Sequence, residues 1–333
     1  MTMRDRKAVG TRRVTVVVPN WNGGEMLATV LGALAVQTFS DHEALVVDNA
    51  STDGAVDNAE ALGLPFRPLR LERNTGFAAA CNAGAEAASG ELVAFLNNDA
   101  VPEPDWLEQL VACIDRHSAA GCVDSKLFQL GSEHVLDGAG DELTWTLKAF
   151  RRGFGQPEEG LYDSEEQILL ASGTACLWRR DVFQQLGGFA EDFFAYYEDV
   201  DLSLRAQRAG HEIWFAPAAI AWHRREQRTA DRRRLDAYLA SRNRWATIIR
   251  NAPGWWLARE LPAIALGELM SGGRAVASGD LLPYARGLWG LARSAPALLR
   301  QRRAIASLGE LSRARVEPFV RHRIPPLRMS LAR

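Results

Sequence analysis

The stretch VTVVVPNWNG, residues 14–23, joins a run of β-branched residues to a polar turn. A continuous apolar run that ends at a proline indicates a strand buried on both faces. Two similar runs follow, EALVVD at residues 43–48 and ELVAFL at residues 91–96. Strands that alternate with helices predict βαβ units and a mostly parallel sheet sandwiched by helices. The intervening helices are predicted near residues 25–36, 55–62, 78–88 and 105–116.

Polar residues follow each predicted strand at its carboxyl end, which is where ligands bind in open α/β sheets. These ends are Pro19-Asn20-Trp21-Asn22, Asp48-Asn49-Ala50-Ser51 and Asn97-Asn98-Asp99. One carboxylate beside amides suits a divalent cation that also holds phosphate oxygens. Helix capping or a polar turn would use the same residue types. No GxGxxG follows the first strand, so a dinucleotide-binding Rossmann site is disfavoured.

Two further stretches could belong to such a site. Asn74-Thr75-Gly76-Phe77 and Asn82 lie at the start of a helix rich in small residues, which suits either phosphate binding or tight packing. His223 ends an apolar segment, and a single histidine there is more often structural than a ligand. It becomes a metal ligand only if Asp99 lies nearby, because imidazole and carboxylate together suit a divalent metal.

A cluster of carboxylates stands near residue 200. Glu198, Asp199 and Asp201 lie within four residues, and Arg205 follows one helical turn later. Crowded carboxylates raise one another's pKa, which suits a general base. A capped helix start with an i,i+4 ion pair would have the same sequence.

Taken in order, these motifs resemble those of the family 2 glycosyltransferases, especially their bacterial rhamnosyltransferase-like branch. The resemblance extends over roughly residues 14–250 and implies the GT-A fold for a catalytic domain at residues 12–225. A helical, arginine-rich extension is expected at residues 226–333. The matching segments are VPNWNG (18–23), VDNASTDG (47–54), NTGFAAACNAG (74–84), LNNDAVPEPDWL (96–107), GGFAEDFFAYYEDVDLSLRAQRAG (187–210) and His223.

The resemblance also implies roles for individual residues. Asp99 would hold the metal of the family's DxD motif, of which it is the one remaining acid, with His223 as a second ligand. Asp199, preceded by Glu198, would be the catalytic base, and Asp201 and Arg205 would contact the acceptor or support the site. The nucleotide-sugar donor would be bound by Pro19, Asn20, Asn22, Asp48, Asn49, Asn74, Gly76, Asn82, Asn97 and Asn98.

The expected activity is inverting transfer of a sugar, with Mg²⁺ or Mn²⁺, to a hydroxyl of a cell-surface glycan or polyprenyl-diphosphate-linked acceptor. The expected donor is dTDP-L-rhamnose, and UDP-hexoses and UDP-galactofuranose stay open. A sugar nucleotidyltransferase would need a basic, glycine-rich loop after its first strand, and Asn20-Trp21-Asn22-Gly23-Gly24 has no basic residue. A degenerate homologue that binds membrane or nucleic acid is the non-enzymatic alternative. The intact Glu198-Asp199 pair argues against it, and no nucleic-acid partner is expected.

The overall composition is that of a globular protein, with 47% hydrophobic and 24% charged residues among 333. The sequence contains no apolar run of about 18 residues, so we expect no membrane span. We also expect no charged-then-apolar leader before the first strand. The four cysteines form no CxxC pair, so a zinc site or disulfide framework is disfavoured. We therefore expect reduced thiols and a cytoplasmic protein, with attachment to the inner face of the plasma membrane left open.

The C-terminal region has its own charge pattern. The first 223 residues carry 17 basic and 33 acidic side chains, whereas the remainder carries 22 arginines and 8 acidic residues. Leu235, Tyr238, Leu239 and Trp245 share one helical face. A later amphipathic helix reaches Pro296, which is expected to kink or restart it. Such a region suits an anionic membrane surface, while an internal cap or a homodimer interface would use the same apolar faces.

Overall fold

The computed structural model describes residues 12–132, 134–144, 146–224 and 229–321. The strands are β1 Val14–Asn20, β2 His42–Asp48, β3 Arg67–Arg70, β4 Leu92–Leu96, β5 Ala100–Pro102, β6 Ala120–Gln129, β7 Leu136–Ala139, β8 Asp141–Thr144, β9 Ala149–Arg151, β10 Glu166–Ile168, β11 Ala175–Arg179, β12 Glu212–His223 and β13 Val320–Arg321. The helices are α1 Gly24–Ala35, α2 Ala55–Ala61, α3 Phe77–Ala87, α4 Trp106–Arg116, α5 Arg180–Gln185, α6 Glu198–Ala209, α7 Ala230–Asn251, α8 Gly254–Ser278, α9 Leu281–Ala306 and α10 Arg313–Val316.

The main sheet has the strand order β10-β12-β6-β11-β4-β1-β2-β3, with β5 paired to β12 and β7 paired to β6. Strands β4, β1, β2 and β3 are mutually parallel, and β11 runs antiparallel between β4 and β6. The prediction of a mostly parallel sheet sandwiched by helices is confirmed. Strand β3 was not predicted, because its sequence Arg-Pro-Leu-Arg has no continuous apolar run and forms the sheet edge.

Helices cover both faces of the sheet, which explains the continuous apolar strands. Along β1, Val16 and Val18 pack on one face with residues of α1 and α4, while Val17 packs on the other face with residues of α3. Because neither face is exposed to solvent, every position in the strand favours an apolar residue. The polar residues that follow β1, β2 and β4 therefore lie together at one edge of the sheet.

The C-terminal region is helical, as predicted. Helix α7 packs along α9, and β13 adds in parallel to β8, so the end of the described chain returns to the region that precedes residue 225. A third apolar cluster, which includes Leu143, Val200, Ile248 and Ile264, joins the β8–β9 hairpin to α6, α7 and α8. The predicted boundary between residues 225 and 226 lies outside the described residues and stays a prediction.

Helix α9 continues from Leu281 through Pro296 to Ala306, so of the two expected effects of Pro296, a kink or a restart, the restart does not occur. Pro296 and Ala292 are both exposed, so water can reach the carbonyl group that the proline leaves without a donor. None of the helices in the described part of the chain combines the length and hydropathy that a membrane span requires. All four cysteines are buried free thiols.

Candidate active site

A cavity of about 670 Å³ opens at the carboxyl ends of β1, β2 and β4. It collects most of the residues that the sequence predicted for the site, although they come from distant parts of the chain. Helix α7 forms one wall and the segment 194–197 forms another. The predicted residues in the lining are Pro19, Asn20, Asn22, Asn49, Asn74, Gly76, Asn97, Asn98, Asp99, Glu198, Asp199 and His223.

Several lining amides are hydrogen-bonded to one another. Asn98 donates to the side-chain oxygen of Asn20 at 2.8 Å, and Asn49 donates to the side-chain oxygen of Asn74 at 3.1 Å. Asn49 also accepts from the backbone N–H of Thr75 at 2.8 Å. Asn20 and Asn49 are only 1% and 4% exposed. These amides therefore fix the loops that follow β1, β2 and β4 in one arrangement, which reduces the ordering cost when a ligand binds.

The pairing of β12 with β5 brings together the two predicted metal ligands. Its register sets His223 opposite Ala100, and His223 Nε2 lies 3.4 Å from Asp99 Oδ1. That oxygen is buried and has no hydrogen-bond partner among the described residues. His223 Nδ1 lies 2.7 Å from Asp137 Oδ2, and Asp137 is fully buried. A carboxylate behind a histidine is the usual support of a metal-ligating imidazole, so these residues fit a divalent cation.

The carboxylates around His223 stabilise positive charge at this position. Burial lowers the pKa of the imidazole, but the hydrogen bond to Asp137 and the proximity of Asp99 outweigh burial, so the pKa is raised overall. Arg151 contacts Asp137 and lies 3.4 Å from His223 Nδ1, which places a positive charge behind the pair. This corner of the cavity thus holds a carboxylate, an imidazole and a guanidinium within contact of one another.

Asp199 stands at the start of α6 and also lines the cavity. Its Oδ2 accepts from the backbone N–H of Gly173 at 3.2 Å, and its Oδ1 accepts from the N–H of Val200 at 2.7 Å. These bonds orient a partly buried carboxylate toward the same space that Asp99 and His223 face. A carboxylate held in this way can accept a proton from a bound hydroxyl.

Four predicted site residues lie outside the cavity lining. Asp48 caps its own loop by accepting from the N–H of Ser51. Asn82 bonds the backbone N–H and carbonyl of Phe189, both at 2.9 Å, and so fixes the loop before α6. Asp201 and Arg205 form a buried ion pair on the inner side of α6 and have no surface for an acceptor.

One wall of the cavity was not predicted from the sequence. Thr229, Arg232, Leu235, Asp236 and Leu239 of the α7 region line it. The sequence did place Leu235 and Leu239 on one helical face, but it could not show what that face meets. Asp137 and Arg151 were also missed, because they lie in a stretch of short strands and glycine turns that has no clear periodicity.

A second group of ligating side chains lies elsewhere, at the end of α4. Cys113, His117 and Glu165 have ligand atoms within 4.8 Å of one another. Glu165 already forms an ion pair with Arg116 and lies 2.6 Å from His117 Nε2. The carboxylate is therefore neutralised by protein groups, and nothing in this cluster calls for a metal.

Comparison with known proteins decides the family. The model of the family described as Glycosyl transferase family 2 matches residues 15–187, just over half of the chain. The chain belongs to this family. The cavity of this family 2 glycosyltransferase is bounded on one side by matched residues and on the other by α6 and α7, which lie beyond the match.

The relatives of this glycosyltransferase include an O-antigen biosynthesis protein and a rhamnosyltransferase. It is 32% identical over 233 residues to the O-antigen biosynthesis protein RfbC of Myxococcus xanthus, covering 67% of the chain but only 18% of that protein. It is 28% identical over 274 residues to the N-acetylglucosaminyl-diphospho-decaprenol L-rhamnosyltransferase of Mycobacterium tuberculosis, covering 73% of the chain and 86% of that enzyme.

Solved structures support the GT-A-like fold. The mannosyltransferase PcManGT of Pyrobaculum calidifontis, solved with GDP-Man and Mn²⁺, superposes with a TM-score of 0.55 at 20% identity. The match covers 90% of this chain and 86% of the mannosyltransferase. At this identity the likeness is one of fold.

Proposed function

We propose that this glycosyltransferase transfers a sugar from a nucleotide-activated donor to an acceptor hydroxyl with inversion at the anomeric carbon. The observation that carries the proposal is one cavity that contains both the Asp99–His223 pair and the Asp199 carboxylate. Inverting transfer needs these two functions together, because one group must stabilise the departing diphosphate while a base deprotonates the acceptor.

Asp199 acts as the general base in this proposal. The proton of the acceptor O–H passes to a carboxylate oxygen of Asp199 while the acceptor oxygen bonds to the anomeric carbon. The bond from that carbon to the diphosphate oxygen breaks, and the nucleoside diphosphate leaves. The N–H groups of Gly173 and Val200 keep the carboxylate in place during this step.

Asp99 and His223 would hold a Mg²⁺ or Mn²⁺ ion, and Asp137 fixes the orientation of the imidazole. Such an ion, when bound, supplies positive charge next to the leaving diphosphate. Asn97 lies beside Asp99 in the cavity, and its side-chain oxygen has no hydrogen-bond partner among the residues described.

For the donor we propose dTDP-L-rhamnose, and for the acceptor a sugar linked to a polyprenyl diphosphate. The support is the Mycobacterium relative, which is named for both rhamnose transfer and a decaprenol-linked acceptor and matches over most of its length. UDP-hexoses and UDP-galactofuranose are the competing donors. Thermal unfolding against a panel of nucleotide sugars, with and without Mn²⁺ or Mg²⁺, distinguishes them. A ligand present at 100 times its Kd stabilises the folded state by about 2.7 kcal/mol.

The base is tested by Asp199→Asn, which keeps the shape of the side chain but removes its basicity. We expect turnover to fall about 100-fold or more, with nucleotide-sugar binding unchanged. Asp231→Asn is the matched control, since its side chain is 95% exposed. Full activity of Asp199→Asn would refute the base assignment, and an equal loss in both variants would show that the assay reports something other than the site.

We also propose that the α8–α9 surface contacts an anionic membrane. Leu269 and Trp289 are 75% and 69% exposed, and each lies on an outward face of its helix. Arg286, Arg293, Arg300 and Arg303 are exposed on α9, and none forms an ion pair within the described residues. Unpaired arginines beside exposed apolar side chains suit anionic headgroups, and a polyprenyl-linked acceptor would lie at such a surface.

Flotation with vesicles tests this contact. We expect binding to vesicles that contain anionic lipid at low salt and no binding to purely zwitterionic vesicles. The double variant Arg293→Gln and Trp289→Ser should lose binding while keeping its melting temperature. Concentration-dependent dimerisation without vesicle binding would assign the same face to a homodimer instead, and salt-dependent binding to nucleic acid alone would assign it to that partner.

A further inference from the structure

The backbone immediately before the catalytic carboxylate has an unusual conformation. Phe194, Tyr196 and Tyr197 have φ values of +67°, +70° and +70°. Side chains of L-residues disfavour this left-handed region, and aromatic residues lack the compensating hydrogen bonds that asparagine can make. Such a segment keeps its shape only where surrounding groups hold it. It leads directly into Glu198 and Asp199.

The group that holds this segment is Asn243, which comes from the middle of α7 and is fully buried. Its side-chain nitrogen lies 2.9 Å from the carbonyl oxygen of Phe193 and 2.8 Å from those of Ala195 and Tyr196. An amide nitrogen has two N–H groups, so at least one of them is shared between carbonyls. One side chain thus contacts three carbonyl groups of this segment.

The opposite side of the segment contacts the donor-binding loop. The N–H of Ala78 donates to the carbonyl of Phe194 at 3.2 Å. Gly76 has a φ of +87°, and a Cβ atom there would lie 2.5 Å from the Phe194 ring. Gly76 in turn accepts from the Asn49 side chain through its carbonyl. The segment is therefore fixed between the donor loop and α7.

We propose that Asn243 is a positioning residue for transfer, which sets the place of Asp199 by holding the segment Phe193–Tyr197. This inference rests on the function proposed above, since it takes Asp199 as the base. The amide is specifically required. A carboxylate at residue 243 would face three carbonyl oxygens. An apolar side chain would remove this donor from the carbonyls of Ala195 and Tyr196, whereas the Phe193 carbonyl would keep the N–H of Ala195.

The first test separates positioning from binding. We expect Asn243→Leu, which is similar in size, to lower kcat about 100-fold, because small displacements of a catalytic group have effects of that order. The Kd of the nucleotide sugar, measured by calorimetry, should stay within about threefold because the donor loop keeps its own amide network. Asn243→Ser is the second variant if the leucine variant folds poorly. Unchanged kcat in a folded variant would overturn the proposal.

Ser241→Ala is the matched control. Ser241 is also buried on α7, and its hydroxyl donates to backbone carbonyls, but these belong to Tyr238 and Tyr284 rather than to the catalytic segment. We expect it to lose stability without losing kcat. A comparable kcat loss in Ser241→Ala would show that Asn243 acts only through the general stability of α7, and would overturn the positioning role.

A double-mutant cycle with Asp199→Asn completes the test. If Asn243 acts through Asp199, Asn243→Leu should leave the residual transfer rate of Asp199→Asn nearly unchanged. The same 100-fold loss in both backgrounds would overturn the proposal. The single variant Asp199→Asn reports separately on the proposed function: wild-type turnover in that variant would refute the base itself, whatever Asn243 does.

Discussion

Asp201 provides the most direct test of how helix α6 is held in place. It is fully buried on α6, and its carboxylate lies 2.8 Å from a guanidinium nitrogen of Arg205 and 2.9 Å from Nε of Arg250. Asn251 donates to it at 2.7 Å. Burial lowers the pKa of Arg205 even though Asp201 opposes this effect, so the guanidinium depends strongly on its partner. We predict that Asp201→Asn destabilises the fold severely.

The magnitude follows from the buried charges. Removing one partner of a buried ion pair costs roughly 3–5 kcal/mol, because the remaining charge loses its compensation. For 333 residues the unfolding entropy is about 0.7 kcal/mol per kelvin, so the expected fall in Tm is roughly 4–7 °C. Thermal unfolding followed by circular dichroism, together with urea unfolding, measures both quantities.

The control is Asp192→Asn, which also faces Arg250 but at 3.5 Å and from a half-exposed position. Exposed pairs contribute about 0–1 kcal/mol, so its Tm should scarcely move. Equal stability of the two variants would refute the argument from burial. Of the two sequence-based expectations for Asp201, contact with the acceptor or support of the site, a raised KM for the acceptor in Asp201→Asn with Tm unchanged would instead favour contact with the acceptor.

Three further substitutions test packing, charge and loop support. A Cβ at Gly84 would lie 2.3 Å from a β1 side chain, whereas one at Gly32 would meet nothing within 4 Å. Gly84→Ala should therefore lower the free energy of unfolding by about 1–3 kcal/mol, because the added methyl group overpacks the core. Gly32→Ala should raise that free energy by up to about 1 kcal/mol, because alanine favours the helix, and urea unfolding measures both. Burial and two nearby arginines lower the pKa of Lys148 to about 8. Its charged form is thus disfavoured in the folded state, so Lys148→Met should be more stable than the wild type at pH 7 by about 1–3 kcal/mol, and the difference should fade as the pH rises from 8 to 10.5. Asn82→Leu should lower the free energy of unfolding by about 1–3 kcal/mol, because it loses both hydrogen bonds to the Phe189 backbone. The KM for the donor should stay unchanged, which steady-state kinetics would check.

The sequence predicted the sheet and its polar edge because both depend on local patterns. Continuous apolar runs of five or six β-rich residues are typical of strands covered on both faces, and in a parallel sheet the polar residues directly after such strands lie at the carboxyl edge. For this reason the loops at Asn20, Asn49 and Asp99 were found without knowledge of the strand order. Local patterns did not show that the asparagine side chains of these loops are hydrogen-bonded to one another.

Contacts between distant segments do not follow from local patterns. The pairing of β12 with β5 places His223 next to Asp99, a pair that only the family resemblance implied, and the pairing of β7 with β6 brings Asp137, which was not predicted, behind the imidazole. Neither register is visible in a short stretch such as LDGA, which has the composition of a turn. The periodicity of α7 likewise showed an apolar face around Leu239 but not the cavity that it meets.

We predict that the helical region after residue 224 is required for the preceding region to fold, and truncation tests this. A chain ending at Arg224 would lose Asn243, whose amide satisfies three carbonyls before α6, and the Arg250 and Asn251 partners of Asp201. Each buried polar group left unpaired costs about 1–3 kcal/mol, which together approaches the whole stability of a typical domain, about 5–15 kcal/mol. We therefore predict that the truncated chain shows no cooperative urea transition, whereas a chain ending at Arg321, which keeps α7 to α9, does. A cooperative transition and native near-ultraviolet circular dichroism in the shorter chain would contradict this reasoning, because α6 would then hold its place without α7.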